Sequence, residues 1–90
     1  MRFSITVDLG HSRHTILLPP WINQEWEARR FRLALIDSAG VEPIHCGDLW
    51  MGVVIHEDTL HAVAIPADSW EQANEILDAI AGIGQLCVVN

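Results

Sequence analysis

Five histidines in ninety residues are the side chains of this chain best suited to chemistry. His56 and His61 bracket a short polar break, Glu57-Asp58-Thr59, between two β-rich runs. A hairpin there sets them opposite each other on one face, close enough to share an ion. His11 and His14 share a second turn, and His45 precedes Cys46. Two imidazoles fall short of the four ligands of a structural zinc, and no Cys-x-x-Cys or helical His-x-x-x-His is present, so neither metal nor cofactor is expected. His45 and Cys46 cannot serve as base and thiolate, because neighbours in an extended chain point to opposite faces. Cys87 sits in an apolar run and reads as a small core residue. Ser12 near His14, and Ser69 beside Asp68, lack the motif that surrounds a nucleophile. A non-enzymatic protein is expected.

The acidic residues suggest recognition instead. Glu71, Glu75 and Asp78 fall at i, i+4 and i+7, which lines three carboxylates along one helix face with no cation four residues on to relieve them. With Glu57 and Asp58 at the hairpin turn and Trp50 nearby in the same β-rich segment, they form the expected partner-binding set, facing a basic protein surface. The bland role of such carboxylates is to keep an apolar chain in solution. Arg29, Arg30 and Arg32 are the one basic cluster, and local pairing with Glu25, Glu27 and Asp37 accounts for it. Direct nucleic-acid binding would need more positive charge than this.

The elements that must position these residues can be read from periodicity. Phe3, Ile5, Val7 and Leu9 alternate with Arg2, Ser4, Thr6 and Asp8, a strand with one face in the core. A turn over residues 10–13 and a short return over 14–18 follow, ended by Pro19 and Pro20. For residues 21–39, composition and Gly40 favour one helix. Arg29 and Arg32 interrupt its apolar stripe, so the preferred reading is a helix to about Ala28 and then a strand over 30–37, with Phe31, Leu33 and Leu35 on one face. Residues 49–56 and 60–65 form a hairpin that is apolar on both faces, Met51, Val53 and Ile55 on one and Trp50, Val54, Val63 and Ile65 on the other. Such a hairpin is central in its sheet or has its second face covered. Asp68 and Glu71 start a helix, Trp70, Ala73, Leu77 and Ile80 form its inner face, Gly82 or Gly84 stops it, and 86–89 is a last strand.

The fold expected is one small two-layer α+β domain over residues 1–90, mostly antiparallel, with a C-terminal hairpin–helix–strand unit. Were 20–38 a single helix, the order would become βαββαβ, the ferredoxin-like pattern. Charge is polarised: residues 1–32 hold five arginines against Asp8, Glu25 and Glu27, a net +2, while residues 33–90 hold nine carboxylates and no lysine or arginine, giving −7 for the chain. That field repels nucleic acid and acidic membranes and favours basic partners. No run reaches the roughly 18 apolar residues of a membrane span, and two cysteines make no disulfide scaffold, so the chain reads as cytoplasmic. With half its residues hydrophobic and four tryptophans, the domain has apolar surface to spare for a partner or a second copy. These features point to a small acidic inhibitor or immunity-type protein, of the kind that phages direct against host defence, engaging the basic surface of a nucleic-acid-binding protein. The alternative is a homodimeric ferredoxin-like ligand- or metal-binding module centred on His56 and His61.

Overall fold

A computed structural model describes residues 1–38 and 40–89. The chain runs β1 (Arg2–Asp8), β2 (Arg13–Leu17), α1 (Glu25–Asp37), β3 (Ile44–Cys46), β4 (Leu49–His56), β5 (Thr59–Ile65), α2 (Trp70–Ile83) and β6 (Gln85–Val89). The six strands form two antiparallel sheets of three, ordered β2-β1-β6 and β3-β4-β5. The helices lie on the inner faces of both, giving the two-layer α+β domain the sequence implies, with its hairpin–helix–strand unit at β4-β5-α2-β6. Without β2 and β3 the order is βαββαβ; the insertion of β2 beside β1 is what divides the strands into two sheets. β2 lies alongside β5, joined by a contact between His14 Nδ1 and the Pro66 carbonyl at 3.1 Å rather than by a ladder.

One core serves both sheets. Phe3, Ile5, Val7 and Ile16 from the first meet Val54, Val63 and Ile65 from the second, under Ala28, Phe31 and Leu35 of α1 and Ala73, Ile76, Leu77 and Ile80 of α2. Two glycines permit the closest approaches. A Cβ at Gly52 would stand 3.2 Å from Leu77 Cδ2, and one at Gly84 would stand 2.7 Å from the Ile80 carbonyl oxygen, so the α2–β6 junction admits no side chain.

The expected break at Ala28 does not occur: residues 25–37 are one helix. The two arginines that interrupt its stripe are used elsewhere. Arg29 is exposed beside Glu25 at 3.5 Å, one turn back. Arg32 sits at the margin of the buried stripe and donates to the Gly84 carbonyl from Nε and Nη2 (3.3 and 3.0 Å) and to the Ile80 carbonyl from Nη2 (3.1 Å). The Ile80 carbonyl already accepts from Gly84 N–H at 3.0 Å, so the guanidinium adds a second donor there, gives the C-cap carbonyl of Gly84 a partner and opposes the negative pole of α2. Leu33, which a strand would have placed beside Phe31 and Leu35, is instead 57% exposed.

Helix α2 also differs in detail. Its N-cap is Ser69, whose Oγ accepts from Gln72 N–H at 3.1 Å while Gln72 Oε1 accepts from Asp68 N–H at 2.7 Å. The cap is thus built by Ser69 and Gln72 rather than by Asp68 and Glu71, with the return bond reaching the N–H of Asp68, one residue before the N-cap. Trp70 stands largely outside the buried face, and Ile76 takes the place expected for it. β3 had no clear periodicity because it is three exposed residues long.

Candidate functional site

The residues proposed for chemistry separate in space. His56 and His61 share a face of the hairpin, but diagonally, since His56 pairs with Thr59 and His61 with Val54. Their rings, 6.3 Å apart, are packed with Trp21 and Phe31: Trp21 lies 6.1 Å from His56 and 5.2 Å from His61, and Phe31 5.3 and 5.9 Å from them. The four rings close the Glu57 end of the core, which gives both histidines a packing role; His56 is buried. Among the described residues no group of three His, Cys, Asp or Glu is placed to hold a metal. His45 stacks on Trp50 at 4.4 Å, while Cys46 points to the opposite face beside Leu49. Cys87 is not a core residue: it lies half-buried on the outer face of β6, 3.6 Å from Thr6 Oγ1.

The expected partner-binding set is likewise divided. Glu71, Glu75 and Asp78 are exposed on α2, opposite Ala73, Ile76, Leu77 and Ile80, so the stripe faces away from the sheets. Trp50 is half-buried on the helix side of β4 and packs against the core. Glu57 and Asp58 form the two-residue turn between β4 and β5, both with left-handed φ (52° and 62°). Such a turn favours Asn-Gly, and carboxylates there carry some backbone strain. Arg30 reaches across from α1 to Glu57 at 3.4 Å, so the arginine cluster is paired partly through tertiary contact.

The feature that stands out lies on the other side of β4. Strand alternation turns Leu49, Met51, Val53 and Ile55 outward, and the pairing sets Cys46 and Ile44 beside Leu49 and Met51 on one flank, and Ala64, Ala62 and Leu60 beside Met51, Val53 and Ile55 on the other. These nine residues form an outer face with no polar side chain, and no described element covers it. Ile55 and Leu60, its cross-strand pair nearest the turn, are 64% and 68% exposed. Three strands about 4.8 Å apart and up to about 27 Å long give a footprint on the order of 300 to 400 Å². Its ends are acidic, Asp48 at the β3–β4 turn and Glu57 and Asp58 at the β4–β5 turn. The outward Met51, Val53 and Ile55 were visible in the sequence as the second apolar side of the hairpin; that this side is the open one was not.

A second feature lies at the far edge of the other sheet, where a cleft of about 640 Å³ separates α1 from β6, lined by Glu25, Arg29, Arg32, Leu33, Gln85 and Leu86. The chain matches no family model, no curated protein and no solved structure.

Proposed function

We propose that this protein is a non-enzymatic binding module that uses the outer face of β3-β4-β5 to dock on another protein. The observation that carries the reading is the continuous apolar face from Ile44 to Ala64, left open in a two-layer domain whose other outer face is mainly polar. Magnitude decides what kind of partner fits. Roughly 400 Å² of apolar surface at about 25 cal/mol per Å² gives about 10 kcal/mol of gross gain. That is no more than the 4 to 15 kcal/mol that association costs, and the footprint falls short of the roughly 800 Å² per side of a standard interface. The rim must therefore join the contact, and the rim is Asp48, Glu57 and Asp58. A partner with an apolar centre and a basic surround complements it, whereas a second copy would set carboxylates against carboxylates. Basic surfaces of that kind hold nucleic-acid phosphate, and an occupant excludes the nucleic acid, so inhibition is the action that suits this chemistry.

The test is to isolate the partner from the native host with the wild-type protein and compare variants against it. Ile55→Thr with Leu60→Thr should weaken binding at least about tenfold, the outcome for loss of two large interface contacts. Asp58→Asn should slow association and flatten its salt dependence. Binding that survives both changes but fails when Glu71, Glu75 and Asp78 are replaced by Gln would reject the sheet face and move the site to α2.

A further inference from the structure

We propose that two copies of this chain join edge to edge through β6, antiparallel and centred on Cys87, so that β2-β1-β6 becomes half of a six-stranded sheet. This surface is distinct from the apolar face assigned above, and the two proposals stand separately. β6 pairs with β1 along one side, and its other side is an open row of backbone donors and acceptors. Natural edges are blunted by charge, proline, a bulge or shortness. β2, the other edge of this sheet, lies alongside β5, and β3, an edge of the second sheet, is only three residues long. β6 has none of these guards: its five residues are Gln85, Leu86, Cys87, Val88 and Val89. No residue from Ala79 to Val89 is charged, so in a chain of net charge −7 this strand sets no like charges against its own copy.

The surroundings favour a second copy over a foreign strand. Val88 is 52% exposed and Leu33 stands open across the cleft from Leu86, apolar surface that a twofold-related copy would cover. Glu25 and Arg29 line the same cleft, both well exposed and held to each other at only 3.5 Å. A twofold axis brings the cleft up from both sides, so that Arg29 of one copy faces Glu25 of the other. One ion pair within each chain is thereby exchanged for two between chains, and no net charge is buried. Full overlap of the five residues sets Cys87 opposite Cys87 and Gln85 opposite Val89, with the facing Cβ atoms about 4.5 to 5.5 Å apart.

The two cysteines allow a direct test, because Cys87 reports this edge and Cys46 reports the β3-β4-β5 face. A short bis-maleimide added to the wild-type protein should give a covalent dimer that persists in Cys46→Ser and disappears in Cys87→Ser. In sedimentation velocity, wild type and Ile55→Thr/Leu60→Thr should both run as dimers. Val88→Lys should run as a monomer at the concentration where wild type is dimeric, with its circular dichroism unchanged. A wild-type monomer at every concentration, a cross-link through Cys46, or a dimer that survives Val88→Lys would overturn the proposal. Should Val88→Lys fail to fold, the cysteine result decides alone.

Discussion

Met51 and Thr6 occupy matching places, each on the central strand of a three-stranded sheet with its side chain turned away from the helices. Met51 lies between Ile44 and Ala64; Thr6 lies between Thr15 and Gln85. The contrast extends along both strands. Outward positions of the first sheet are mainly Arg2, Ser4, Thr6, Asp8, Arg13, Thr15 and Gln85, whereas those of the second are apolar without exception. The inner faces meet the same core. A sheet with one wet face needs only alternation, and β1 shows it; a sheet apolar on both faces is stable in isolation only at the cost of exposed hydrocarbon. The difference teaches where to look for function: stability is shared by the two sheets, and the face proposed for docking belongs to one.

Seven substitutions can break or sharpen that contrast. The largest effect belongs to the shared core. Leu77, which touches the site of Gly52 in the second sheet, and Ile5, central to the first, should each cost about 2 to 5 kcal/mol when changed to Ala. Chemical denaturation should give similar losses for both; a loss below about 1 kcal/mol for either would mean that the sheets do not share one core. Arg32→Ala comes next. It removes three hydrogen bonds from a charged donor to the α2–β6 junction, and about 1.5 to 3 kcal/mol should be lost. Arg29→Ala, a control that breaks only an exposed pair, should cost under about 1 kcal/mol.

Asp58→Gly should act in the opposite direction. Glycine relieves the left-handed φ of 62° and should raise stability by about 0.5 kcal/mol while weakening partner binding. A gain in stability with no loss of binding would remove Asp58 from the recognition surface. The smallest effect on stability is expected from the outer faces. Ile55→Thr in the second sheet and Thr15→Val in the first should each stay within about 0.5 kcal/mol of wild type, yet only Ile55→Thr should affect binding. Equal binding by both variants would erase the distinction between the sheets.

Much of this molecule is written locally. The alternation in β1, the two runs of the β4–β5 hairpin and the helical spacing of Ala73, Leu77 and Ile80 each depend on a period that neighbouring residues establish among themselves, and the sequence alone places them to within a residue or two. The outward position of Glu71, Glu75 and Asp78 follows for the same reason. Helix α1 was legible in composition but not in periodicity, because its pattern makes sense only when Arg32 has the carbonyls of Ile80 and Gly84 within reach, some fifty residues away in the chain. The spacing of His56 and His61 shows that they share a face, but not that Trp21 and Phe31, distant in the chain, pack against them. The apolar second side of the hairpin was plain in the sequence, but two coverings were open to it, a neighbouring layer or another molecule. Tertiary structure settled this much: both helices went to the inner faces, where one continuous core could form, and among the described residues nothing covers the outer face from Ile44 to Ala64.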